Sequence, residues 1–148
     1  MTDLPLQGRV DADKHIFPIR IYYEDTDTSG IVYHARYLHF FERARTEFLR
    51  CLGIVQGPMI EADDPTAFAV KAMEIDFSRP AKIDDALLVE TTLSDVKGAS
   101  VTLDQKVLRG GELLVKGRVR VAVIGNDLRP RRIPKEMRRL FEATLNTQ

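Results

Sequence analysis

Between Tyr33 and Leu52 apolar side chains recur at steps of three and four. Tyr33, Tyr37, Phe40, Phe41, Ala44, Phe48, Cys51 and Leu52 fall within one helical stripe, which predicts a single long amphipathic helix. Arg36, His39, Arg43, Thr46 and Arg50 fall on its far side, where Arg43 and Glu47 are spaced for an i,i+4 ion pair worth about 0.2–0.5 kcal/mol. Gly53 is placed to end the helix as a C-cap. Ahead of the helix, IFPIRIYYE (16–24) is rich in β-branched and aromatic residues, and Pro18 suits the start or edge of a strand. DTDTSG (25–30) reads as a turn of cap-forming residues.

Beyond the helix the period falls to two. TAFAVKAMEIDFS (66–78) is a strand candidate, and Leu87, Val89, Thr91 and Leu93 alternate with Leu88, Glu90, Thr92 and Ser94. Val101, Leu103 and Val107 repeat the alternation, and Gly110-Gly111 marks a hairpin turn. Leu113, Val115, Val119, Val121 and Val123 then share one face, with Lys116, Arg118 and Arg120 on the other. IVQGPMIEADDP (54–65) reads as a surface connection, because Gly57-Pro58 and Asp64-Pro65 disfavour helix. IPKEMRRLFEATL (133–145) predicts a short tail helix with Pro134 near its first turn.

Residues 1–14 lack periodicity and predict a mobile arm, which leaves 15–148 as a single domain. Strand, long helix and four further strands make an α+β plan: a curved five-stranded antiparallel sheet wrapped around one long helix. One helix leaves the sheet's edges open to another chain, so a homodimer, or a tetramer made by doubling it, is expected.

Composition narrows the class. A chain of 148 residues with 44% apolar and 30% charged residues suits one globular domain. Lys and Arg balance Asp and Glu at 22 each, so nucleic acid and anionic membranes are not expected partners. No apolar run approaches the 18 or so residues of a membrane span, and the N-terminus has no signal-peptide core, so a cytoplasmic chain without membrane insertion is expected. The lone Cys51 has no intrachain disulfide partner and reads as a small buried hydrophobe. His34 and His39 lie about 140° apart on a helix, and H-E-x-x-H is absent, so no metal site is expected. Neither a P-loop nor a dinucleotide-binding glycine turn is present.

The run DTDTSGIVYHARYL, following a strand and opening a long helix, resembles the signature of the hydroxybenzoyl-CoA thioesterase family of the hotdog superfamily. Its continuation FFERARTEFLR is similar to the YbgC-type acyl-CoA thioesterase branch of that family, a branch associated with the Tol-Pal envelope system. The likeness is close over roughly 19–52, and RPRRIPKEM in the tail adds to it. It implies the hotdog fold and hydrolysis of acyl-CoA with no cofactor beyond the CoA of the substrate, with acyl carrier protein as an alternative carrier. It implies that Asp27 is the catalytic carboxylate. Gly30, Ile31, Val32, Tyr33 and His34 then form the substrate-binding helix start, where a backbone N–H near His34 binds the thioester carbonyl. Histidine at 34, where benzoyl-specific members carry an aromatic residue, points to an aliphatic acyl group.

The chemistry is consistent with that assignment. A thioester needs a nucleophile or a base that activates water, and stabilisation of charge on its carbonyl oxygen. A carboxylate one turn before a helix supplies the first, and the free N–H groups of the helix start supply the second. Gly30 allows close backbone approach there. Asp27 as nucleophile or as general base, and His34 as proton shuttle or structural ring, stay open alternatives. Asp25 reads as a turn or cap residue. Glu42 sits too deep along the helix to share the carbonyl site, and Arg79, Lys82, Lys97 or the Lys116, Arg118, Arg120 row are candidates for the CoA phosphates. A non-hydrolytic binder of acyl-CoA or acyl carrier protein and a hotdog dehydratase are the competing functions.

Overall fold

The computed structural model describes residues 6–146. Two short strands, β1 (Arg9–Asp11) and β2 (Lys14–Arg20), precede the helix α1 (Arg36–Cys51) and a one-and-a-half-turn helix α2 (Gln56–Glu61). Four strands follow, β3 (Thr66–Phe77), β4 (Ala86–Val96), β5 (Ser100–Arg109) and β6 (Glu112–Gly125), and α3 (Lys135–Asn146) closes the chain. All six strands form one antiparallel sheet in the order β1-β2-β4-β5-β6-β3, which leaves β3 as an edge.

The period-two pattern of β4 to β6 places Val89, Leu93, Leu103, Val107, Val115 and Val119 on one buried face, and α1 packs its stripe of Tyr37, Phe40, Phe41, Ala44 and Phe48 into the same core. Phe41 is fully buried, and a Cβ at Gly117 would lie 2.9 Å from its ring, so the bare backbone of β6 lets the ring press onto the sheet. Deleting a ring so enclosed costs about 3–5 kcal/mol. Gly53, at φ +95°, ends α1 in a Schellman turn with the Ile54 N–H donating to the Leu49 carbonyl at 2.9 Å. Gly110 and Gly111 both have positive φ and join β5 to β6 in a two-residue hairpin. Ile133, Met137 and Phe141 bring α3 onto the far end of the core.

Several expectations need correction. The sheet has six strands rather than five, because Arg9–Asp11 pairs with Lys14–Ile16 inside the stretch expected to be a mobile arm. Residues 1–5 of that stretch lie outside the described residues. The connection 54–65 contains α2, which tolerates Pro58 because the first turn of a helix needs no N–H from that position. Helix α1 begins at Arg36 rather than Tyr33, since Tyr33 still belongs to the preceding loop and donates its N–H to the Asp25 carbonyl at 3.0 Å. Leu113 is 36% exposed while Leu114 is fully buried, because a bulge opposite Val107 and Leu108 turns the extra residue inward. Glu47 pairs with Arg50 at 3.5 Å rather than with Arg43.

Candidate active site

The loop between β2 and α1 is a small hairpin built on Asp25. This residue is 5% exposed, accepts the Tyr22 N–H at 2.8 Å and holds the Arg36 guanidinium at 2.9 Å through Nε and 2.7 Å through its terminal nitrogen. The base of the hairpin is thereby clamped to the first residue of α1. Across the hairpin the Asp27 N–H donates to the Ile31 carbonyl at 3.0 Å and the Gly30 N–H to the Asp27 carbonyl at 3.1 Å. Gly30 has φ +83° and nothing within 4 Å of a would-be Cβ, so the turn conformation, not crowding within the chain, demands glycine there. A bridge from Ile31 to Lys82 and a 2.9 Å bond from the Val32 N–H to the Ala81 carbonyl strap the hairpin to the turn between β3 and β4.

Asp27 stands exposed at the tip. Its Oδ1 accepts the Ser29 N–H at 2.8 Å and the Ser29 hydroxyl at 2.5 Å, an Asx turn with a second donor added. The Ser29 hydroxyl, and after it the Ser29 N–H, hold the Asp27 carboxyl below the usual carboxylate range. Weaker contributions from the Ile31 and Asp27 backbone act in the same direction, and the group is therefore ionised at neutral pH.

His34 is also exposed, its ring 4.7 Å from that of Tyr33 and edge-on to Phe77 at 6.3 Å. Among the described residues the backbone N–H groups of His34 and Ala35 donate to no main-chain carbonyl, and no side chain caps α1. The helix start thus presents free donors at its positive end. Ile31 is half-buried and Tyr33 exposed, whereas Val32 is 4% exposed within the core that holds Tyr37 and Ala81. The Val32 side chain therefore packs in the core.

One hairpin and the helix it enters thus carry Asp27, Gly30, Ile31, Tyr33 and His34. Asp25 is structural, as its place in the turn suggested. Ser29 and Arg36 were missed: Asp-x-Ser is a recognisable Asx-turn spacing, but no spacing rule links Asp25 to Arg36. Of the basic candidates, Arg79 is paired with Glu112 at 2.8 Å, Arg118 with Asp104 at 2.8 Å and Lys97 with Asp95 at 3.8 Å. Lys82 is exposed beside the loop. Glu42 is exposed midway along α1, away from the helix start. Among the described residues no three His, Cys, Asp or Glu side chains cluster as a metal site, and no helix is long and apolar enough to cross a membrane.

The model of the thioesterase-like superfamily matches residues 22–141. The acyl-CoA thioesterase YbgC of Haemophilus influenzae is 49% identical over 126 residues, covering 84% of this chain and 92% of that protein. The acyl-CoA thioester hydrolase YbgC of Escherichia coli O157:H7 is 36% identical over 124 residues, covering 82% of this chain and 90% of that protein. A probable thioesterase from Bartonella henselae has a crystal structure similar to this one with a TM-score of 0.79 at 45% identity, covering 82% of this chain and 99% of that one. With a curved antiparallel sheet around one long helix, and with relatives this similar over most of their length, the chain belongs to the thioesterase-like superfamily of the hotdog fold, in its YbgC-type branch.

Proposed function

We propose that the chain hydrolyses acyl-CoA thioesters to the free acid and CoA. The observation that carries this reading is the pairing, on one hairpin, of an ionised Asp27 with an uncapped helix start at His34. In one route Oδ2 of Asp27 attacks the thioester carbon, CoA leaves as thiolate, and water cleaves the resulting anhydride. In the other, Asp27 takes a proton from the water that attacks. The products are the same. Negative charge developing on the carbonyl oxygen is met by the backbone N–H near His34; one such donor is worth about 10²–10³ in rate, and a positioned base about 10²–10⁴. The CoA thiolate is a good leaving group, so this scheme uses no metal and no cofactor beyond the substrate's own CoA. The His34 ring either passes a proton to that thiolate or positions Tyr33 and Phe77, and Lys82 is the basic residue best placed for a CoA phosphate.

The same reading calls for a second copy of the chain. Asp27 and His34 lie open to solvent, where the charge and dipole effects of the scheme are weak. Strand β3 leaves an unpaired edge beside them, with Val70 and Phe77 exposed by 49% and 52%. A homodimer built on that edge would cover the site and remove the edge.

A thiol-release assay with a panel of acyl-CoA esters tests the function. Release with at least one aliphatic acyl-CoA is expected, and its absence across the panel would contradict it. The Ser29 contacts of Asp27 favour a second reading, a non-hydrolytic binder of acyl-CoA or acyl carrier protein in which Asp27 only shapes the turn. Binding without thiol release in the same assay identifies that case.

A further inference from the structure

Farther along α1, Arg45 is only 9% exposed. It donates to Oε1 of Gln105 at 3.1 Å, and the fully buried Gln105 is itself fixed by donating to the Phe41 carbonyl and to Oγ1 of Thr91, both at 3.0 Å. Among the described residues Arg45 forms no ion pair; the exposed Glu42 acts on it only at longer range. A guanidinium taken out of water against a neutral amide is expensive unless an anion completes its environment.

Arg45 also lines a cavity of about 210 Å³ between α1 and the free edge β3, walled by the apolar Leu49, Phe68, Val70, Val101 and Leu103 and also lined by the carboxylate of Glu42. The same helix and strand lead back to the candidate site: Phe77 at the other end of β3 stands 6.3 Å from His34 and 5.8 Å from Tyr37. Arg45 follows Arg36, the first residue of α1, by about 14 Å along the helix axis, a separation on the scale of a medium-length acyl chain and its terminal group.

We infer that this cavity receives the far end of the acyl group and that Arg45 binds a carboxylate carried there, so that the preferred substrates are medium-chain acyl-CoA thioesters with a terminal carboxylate. The inference rests on the acyl-CoA hydrolase reading and names its substrate class. The apolar walls hold the methylenes, Arg45 supplies the charge-assisted hydrogen bonds, and Gln105 positions the guanidinium.

The test compares kcat/KM for suberyl-CoA and octanoyl-CoA, matched in chain length, in the wild type, Arg45→Met and Arg45→Lys. The wild type is expected to favour suberyl-CoA by about tenfold or more, Arg45→Met to lose that preference and Arg45→Lys to keep part of it. Because each ratio is taken within one protein, loss of folded material cancels. Equal or better use of octanoyl-CoA by the wild type, or an unchanged ratio in Arg45→Met, would overturn the inference and leave the hydrolase reading standing. Failure to release thiol from either ester would overturn the inference, whereas the hydrolase reading falls only if the whole acyl-CoA panel also gives no release.

Discussion

Ser29 supplies both donors to Oδ1 of Asp27, and each favours the charged form of the carboxyl. The Asp27 carboxylate therefore stays ionised to more acid pH than an ordinary aspartate, whose reference value is 3.8. Ser29→Ala removes the larger contribution, the hydroxyl. The Asp27 pKa is expected to rise and the acid limb of the kcat/KM profile to move to higher pH, read from initial rates across an acid pH series. A limb that does not move would show that Ser29 shapes the loop without tuning the charge. At this scale the sequence was informative where a motif concentrates residue types, as in DTDTSGIVYH, and silent where partners are brought together by folding. Arg36 reads as one more polar residue of a helix until the hairpin returns Asp25 to it.

Among the elements, the β1–β2 hairpin is the part that periodicity did not disclose, because three residues of β1 are too few to alternate and all are exposed. Its attachment depends on His15 of β2, fully buried between the rings of Phe17 and Phe48, with Nε2 2.6 Å from the Gln7 carbonyl. Burial lowers the His15 pKa from its reference of 6.5, against the opposing effects of the Gln7 carbonyl and Glu47. The unfolded chain thus binds this proton more readily than the folded one. Stability from His15 is whole above pH 6.5 and is lost as the pH falls through that value towards the lowered folded pKa. Urea unfolding between about pH 5 and 7 is expected to show stability rising with pH in the wild type, with a shallower slope in His15→Gln. Equal slopes would contradict this account of the hairpin. The long helix and the later strands were legible because each has enough residues to display its period. The short α2 and the bulge that buries Leu114 were not, since a proline in a first turn and one extra strand residue leave the local pattern unmarked.

For the whole molecule, the open edge of β3 and the exposed Asp27 support the same proposal, a second copy that pairs the edge and covers the site. The mass in solution at micromolar concentration is expected to be twice the 16.8 kDa of the chain or a multiple of that, whereas a strict monomer would remove the shared-site part of the proposal. The sequence pattern implied this assembly only through the shortage of helices to cover the sheet. It could not show that Arg45 is buried against Gln105, because an arginine at that position looks like any other polar residue on α1. The most direct measurement is acyl-CoA thiol release by the assembled Asp27→Asn protein. Asparagine keeps the Asx turn with Ser29 but carries no negative charge, so turnover is expected to vanish while oligomer mass and acyl-CoA binding stay near wild type. Turnover close to that of the wild type would contradict the catalytic assignment of Asp27.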